Sequence, residues 1–315
     1  MIIKEYLPQG NEVSLFNNVV YNVPGLFQFS SLIYKYIDVV KSRYNYNLPI
    51  KYIYGAPNCI WNGGRIIFTD SRIYDSFEVE LYNTCKYKLV PLITFSNLKI
   101  TNDLLLDEIG NRLLNILNNI SGGVIVSSPL LEKYIRDNFK NIKIHASVVK
   151  TSSSVRNVRY YQSLSNNYDC YVLHPDDNVN YDLLSQIPTH NAEILINERC
   201  YPECKQRHEH YISISNEQLS LCEGSYKYEN FLSGCSAIPE WKQLNSKTRN
   251  ISCTLEELAL LNNLGVKIFK IQGRTDNLYS VFFDLMRYTL ENKIAFPTLY
   301  PLFCHEIEKF KNQRN

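Results

Sequence analysis

The sequence predicts an α/β chain folded as a TIM-like (β/α)8 barrel, regular or distorted, with a cysteine-rich segment inserted after the seventh strand. Three observations carry this expectation. Short apolar runs, eight in all, alternate with runs of helical spacing. Parallel strands need crossover helices on their outer side, so this alternation closes most economically as a barrel. The rhythm breaks once, between about 198 and 250, where cysteines gather. An open doubly wound sheet is the alternative built from the same units. The domain expectation is one barrel over 1–297, including the insertion at about 198–250, and a C-terminal tail at 298–315.

Taken in order, Glu12 to Val19 is a weakly patterned first strand. From Leu26 to Arg43 the residues Leu32, Ile33, Tyr36, Ile37 and Val40 recur at helical intervals, which allows one face to be buried. Lys51 to Gly55 is a strand closed by Gly55-Ala56-Pro57, and it leads into a polar turn at Asn58, Cys59 and Trp61 to Gly64. Lys88 to Phe95 is the next strand, with Pro91 removing one ladder donor. Asp103 then reads as the N-cap of a helix through Asn118.

Gly123 to Ser127 is a strand followed by a helix from Leu130 to Phe139, and Lys143 to Val148 is a strand followed by one from Val155 to Leu164. Cys170 to His174 and a short helix from Tyr181 to Ile187 make the next unit, and Ile194 to Asn197 is the seventh strand. Beyond the interruption, Thr254 starts a helix with Glu256 and Glu257 in its first turn, where negative charge suits the dipole, and Gly265 ends it. Lys267 to Ile271 is the last strand, and Asn277 to Glu291 the closing helix.

At 315 residues, with 45% hydrophobic and 20% charged side chains, the chain has the balance of a globular protein with a sizeable core. A net charge of +2 offers no general attraction for a polyanion. The first residues lack the apolar core of a signal peptide and no run approaches eighteen apolar residues, so a soluble cytoplasmic protein without a membrane partner is expected. Nine cysteines, an odd number, then point to reduced thiols and metal or catalytic use more than to a disulfide framework. Cys85, Cys170, Cys253 and Cys304 read as packing residues.

The chemistry concentrates in Ala192 to His210, an apolar strand running into two cysteines, glutamates, arginines and two histidines. Active groups of such barrels sit at the carboxyl ends of the strands. That places Asn58 and Cys59, Ser96 and Asn97, Ser127 and Ser128, Ser147, His174 and Asp176, Glu198 and Cys200, and Arg274 on one rim. His145 lies within a strand and reads as a satisfied core histidine. There is no G-x-G-x-x-G fingerprint, Walker loop or G-x-S-x-G turn, so a triad of Ser127 or Ser147 with His174 and Asp176 lacks its usual local support.

Gly265 to Arg274, GVKIFKIQGR, resembles the G-V-x-x-x-K-I-E-G-R strand of the collagenase-like peptidase family U-32. Ile144 to Ser147 is similar to that family's I-H-A-S strand, and Tyr54-Gly55 followed by Cys59 sits where the family closes an early strand. The resemblance covers roughly 50–290. Gln272 stands where the family usually has glutamate, the cysteine spacing after Cys200 differs from the common one, and the extra peptidase-type blocks are not visible. The resemblance implies a barrel whose cysteines hold an iron-sulfur cluster, in proteins serving oxygen-independent hydroxylation of ubiquinone precursors or hydroxylation of RNA bases. Some relatives are credited with peptidase activity.

Thiolates are the preferred ligands of such clusters. Four of Cys59, Cys200, Cys204, Cys222 and Cys235 are therefore the expected ligands of an iron-sulfur cluster of the 4Fe-4S type, with zinc as the alternative metal. Glu198, His210 and Arg274 are the catalytic candidates, and Arg207, Arg274 and His174 the substrate-binding ones. The expected function is an oxygen-independent hydroxylation or other redox modification of a small-molecule or RNA substrate. Peptidase or other metal-assisted hydrolysis is one alternative, and a noncatalytic partner of a second U-32-like subunit is another.

Overall fold

The computed structural model describes residues 18–63, 76–152, 155–198, 200, 202–225, 227, 252–273, 277–291, 293 and 295–313. Eight strands form a closed barrel in sequence order. They are β1 (Val20–Pro24), β2 (Ile50–Gly55), β3 (Val90–Phe95), β4 (Gly123–Val126), β5 (Lys143–Ala146), β6 (Cys170–Val172), β7 (Ala192–Leu195) and β8 (Ile268–Lys270). Every pairing is parallel, and β8 closes on β1 with Phe269 opposite Tyr21. The barrel expectation holds.

The helices are α1 (Ser30–Tyr44), α2 (Phe77–Lys86), α3 (Glu108–Ile120), α4 (Pro129–Asn138), α5 (Val148–Thr151), α6 (Val158–Asn167), α7 (Tyr181–Leu184), α8 (Arg207–Cys222), α9 (Leu255–Asn263), α10 (Leu278–Thr289) and α11 (Tyr300–Asn312). Several start on side chains that accept otherwise orphaned backbone donors. Ser128 caps α4 with Pro129 behind it, Asn157 caps α6 and Asn277 caps α10. Thr254 and Glu257 form a reciprocal capping box at α9. No helix among the described residues is long and apolar enough to cross a membrane.

Two cores result. The larger lies between strands and helices and includes Tyr36, Trp61, Phe95, Tyr171, Phe269, Phe282 and Phe303. The smaller fills the barrel with Tyr52, Tyr54, Leu92 and Ile125. The rest of the interior is polar. Lys270 Nζ lies 2.9 Å from Glu193 Oε1 and 4.5 Å from the centre of the Tyr54 ring. Asn22 Nδ2 donates to Glu193 Oε2, and the ring of His145 meets Tyr52 edge-on at 5.3 Å. Lys270 and Glu193 sit on the adjacent strands β8 and β7, whereas the Lys270–Tyr54, Asn22–Glu193 and His145–Tyr52 contacts join strands that are not neighbours and so cross the lumen. Barrel interiors are ordinarily filled by layers of branched apolar side chains.

The structure departs from the sequence expectations at identifiable points. The first strand is Val20–Pro24, while most of the expected segment at 12–19 lies outside the described residues. Residues 103–106 form a 3-10 turn, and the cap of the following helix is Asp107, which accepts from the Gly110 amide. The strand at 143 ends at Ala146 because Ser147 caps α5 there. Helices α2 and α8 were not anticipated, and the expected tail contains α11, whose Phe303 packs edge-on to Tyr36 at 5.4 Å. Gly55 is required where the chain leaving β1 crosses β2, since a Cβ there would stand 2.0 Å from the Leu26 carbonyl oxygen.

Candidate functional site at the carboxyl mouth of the barrel

Helix α8 follows β7 and lies across the carboxyl mouth. Near its start Arg207 Nη1 is 3.3 Å from Glu198 Oε2, after β7, and His208 Nδ1 is 3.4 Å from Ser152 Oγ, after β5. In its middle Ser215 Oγ accepts from the Leu98 amide at 3.1 Å, after β3. Near its end Gln218 donates to Asn58 Oδ1 at 2.7 Å and accepts from Asn62 Nδ2 at 3.3 Å, after β2. The buried residues of α8 are Arg207, Ser213, Ser215, Glu217, Gln218 and Ser220, every one of them polar. A helix buried by polar side chains is held by specific hydrogen bonds, which turns its underside into a chemically furnished roof.

Asn97 ties two of the loops beneath this roof together. Its amide donates to the Trp61 carbonyl at 3.0 Å, and its side chain donates to the Ile60 carbonyl at 2.8 Å. On the other side of the mouth, Asn197 accepts from the Gln272 amide at 2.6 Å and donates to Asp284 Oδ2 at 2.7 Å, fixing the loop after β7 to that after β8.

The charged corner of the mouth joins the loops after β6 and β7. Glu198 and Arg207 are each 4% exposed, and Glu198 Oε1 also accepts from the Cys200 amide at 2.8 Å. Burial works against the Arg207 charge, but Tyr211, Glu198, Cys200 and Asp176 outweigh it and hold the guanidinium's pKa up. Arg156 pairs with Asp177 at 2.9 Å, and Tyr161 donates to the same carboxylate oxygen at 2.6 Å. His174 caps a 3-10 turn by accepting the Asp176 amide on Nδ1 at 3.3 Å. Burial, then Arg207 and Arg156, push its pKa down to about 4 against the pull of Asp176.

His174 is therefore neutral at pH 7, with its proton on Nε2. An unfolded histidine titrates near 6.5, so the unfolded chain takes up this proton first as pH falls. The stability held by neutral His174 is present above about pH 6.5 and is lost between there and the folded value of about 4. We expect His174→Asn, which keeps an acceptor for the Asp176 amide, to remove on the order of 2–3 kcal/mol of pH-dependent stability across this window. Urea unfolding at pH 7 and pH 4.5 measures it, and an unchanged pH slope in the variant would refute the assignment.

The expected cysteine ligands divide into two groups. Burial, the largest cause at each thiol, pushes the pKa of both Cys59 and Cys222 up, Asp107 adds to it at both, Cys222 adds to it at Cys59, and Gln218 Nε2 is 3.3 Å from Cys222 Sγ. Cys200 and Cys204 stand at the other end of α8, Cys200 by Glu198 and Cys204 with its carbonyl accepting the Arg207 amide at 3.2 Å. The 16 residues of α8 begin three positions after Cys204 and end at Cys222, and at about 1.5 Å per residue such a helix is roughly 24 Å long. The described thiols consequently do not assemble a four-thiolate centre. Cys235 lies outside the described residues, as does Arg274.

The remaining candidates fall into plain roles. Ser128 and Ser147 are helix caps, and the hydrogen bonds of His174 reach the Asp176 and Tyr161 groups and no serine. His210 stacks on Tyr211 at 6.4 Å. Glu198 pairs with Arg207. Sequence reasoning missed Ser215 and Gln218, because nothing in the chain marks the polar face of α8 as buried, and Arg156, because its partner Asp177 is brought near only by folding.

The interior holds a second group. His145, Cys170 and Glu193 offer ligand atoms that all lie within 4.8 Å of one another, the one such set of His, Cys, Asp or Glu among the described residues. A metal can be held there. His145 is in the core as expected, but it is not satisfied, for neither ring nitrogen has a hydrogen-bond partner among the described residues. Cys170, expected to be a packing residue, belongs to this set.

Fold and site together define a (β/α)8 barrel protein with a polar helix roofing its carboxyl mouth. A solved structure of a U32 peptidase shares this fold, with a TM-score of 0.51 and 12% sequence identity over 86% of this chain and 98% of that one. No family model matches the chain, and no curated protein is similar to it.

Proposed function

We propose that the chain is a U-32-like enzyme acting on a small polar molecule enclosed at the carboxyl mouth beneath α8. The observation that carries this reading is the roof itself. Loops after β2, β3, β5 and β7 all bond to α8, so a peptide or RNA strand meets the mouth only if the helix leaves, whereas a small molecule makes no such demand and suits the polar side chains already in place. In this reading Arg207 supplies positive charge for an anionic group of the substrate. Glu198, nearly buried and paired, and His174, neutral, are the proton-transfer groups. An anion beside Arg207 offsets the field that depresses His174, so binding raises the histidine's basicity when a proton must be accepted.

The hydroxylation chemistry implied by the family resemblance calls for a cluster that the described cysteines do not assemble, and no step is routed through one. The likeness to a U32 peptidase makes hydrolysis the second reading. Thermal-shift titration of the full chain with citrate, succinate and inorganic phosphate separates the two. At least one anion is expected to raise Tm in the wild-type protein and to lose most of that effect in Arg207→Gln. Cleavage of unfolded casein with no response to any of the three anions would overturn the small-molecule reading.

A further inference from the structure

We propose that His145, Cys170 and Glu193 form a site inside the barrel for a single zinc-class divalent metal ion, bound through imidazole, thiolate and carboxylate. The three residues sit on consecutive strands, with His145 opposite Cys170 and Glu193 opposite Val172 in the β-ladder. They are 1%, 2% and 0% exposed. Their ligand atoms lie within 4.8 Å of one another. Bonds of about 2.0–2.3 Å in a tetrahedron bring such atoms to roughly 3.3–3.8 Å, a contraction that side-chain rotation supplies.

A second, independent observation points to a ligand. Both nitrogens of His145 are buried without partners, and so is Asn22 Oδ1 in the same lumen. Buried polar atoms of native proteins are almost always hydrogen-bonded or bound to something. A buried imidazole that makes no hydrogen bond, yet has a thiol and a carboxylate within 4.8 Å, is the arrangement an ion-binding site presents. Burial, reinforced by Lys270, Lys143 and Lys51, also keeps His145 in the neutral form that a metal requires.

The donor set selects the class of ion. Calcium and magnesium take oxygen ligands alone, and iron-sulfur clusters take thiolates, whereas mixed nitrogen, sulfur and oxygen donors are the zinc pattern. The charge balance is explicit. Cys170 loses its proton to solvent as the metal–sulfur bond forms, so thiolate and Glu193 carboxylate bring two negative charges against the dication and the Lys270 ammonium, leaving the group with one net positive charge. Lys270 keeps its contact with Glu193 Oε1 and with the Tyr54 ring, and Asn22 holds the other oxygen. These are the outer partners that orient a ligating carboxylate. The site is independent of the mouth chemistry, lying several residues deeper along β6 and β7 than His174 and Glu198.

The test uses the untagged full chain, expressed with added zinc and dialysed against metal-free buffer. About one zinc per chain is expected by elemental analysis, and a cobalt-loaded sample is expected to show thiolate-to-cobalt charge-transfer absorption. Cys170→Ser and Glu193→Gln should each lower retained zinc at least tenfold, while Cys304→Ser keeps it. A metal-free wild-type protein with no cobalt-thiolate band would overturn the proposal whether or not the variants fold. Zinc retained equally in folded Cys170→Ser, shown native by circular dichroism, would place the metal elsewhere and overturn it too.

Discussion

Glu193→Ala is expected to destabilise the fold by about 3–5 kcal/mol, the cost of leaving one member of a buried ion pair without its partner. Glu193 has no exposed side-chain surface and Lys270 keeps 11% of its own. With the carboxylate gone, the ammonium retains among the described residues the Tyr54 face, and the Asn22 side chain loses its acceptor. The double change Glu193→Leu with Lys270→Met removes both charges together, and apolar replacement of a buried pair is often neutral. It should restore stability to within about 1–2 kcal/mol of the wild-type chain. Urea unfolding in excess chelator reads the pair without any contribution from a bound metal. A single-variant loss under about 1 kcal/mol would mean that the lumen is far wetter than the contacts imply.

The second large effect concerns the loop that holds the roof. Trp61 is fully buried, donates from Nε1 to the Leu104 carbonyl at 2.8 Å and meets Phe95 edge-on at 5.2 Å. Gly110 makes room for it, since a Cβ there would stand 2.3 Å from the indole ring. The adjacent Ile60 amide is bound by Asp107, the cap of α3, at 3.1 Å. Trp61→Ala should therefore cost about 3–5 kcal/mol through the cavity and the orphaned carbonyl. Because Asn62 next to it holds Gln218, faster amide exchange in α8 is also expected. If α8 exchange stays at the wild-type rate, the roof is not anchored through this loop.

Much of the barrel was legible in the chain. Runs such as Lys51 to Gly55 and Gly123 to Ser127 are apolar on both faces because strands of a parallel barrel are covered on both sides, and the observed strands match them to within a few residues. The first strand escaped because Asn22 faces the lumen and Pro24 ends the run, so VYNVP carries neither alternation nor a continuous apolar stretch. Asp103 and Asp107 are equivalent as sequence signals. The cap went to Asp107 because its carboxylate also binds the Ile60 amide, a residue brought near only by folding. Helix α8 has no apolar stripe to find, since its buried side chains are polar.

The site follows the same division. By itself the sequence determined which residues end each strand, and so placed His174, Glu198 and Cys200 on one rim. Only the tertiary structure decided what they touch. It turned Arg207 onto Glu198, laid α8 between two pairs of cysteines, and closed the sheet so that His145, Cys170, Glu193 and Lys270 share one interior. The physical reason is that strand order and side-chain alternation are local properties of the chain. Which polar groups meet is set instead by closure of the barrel and by the path of one helix, and neither leaves a periodic mark in the residues themselves.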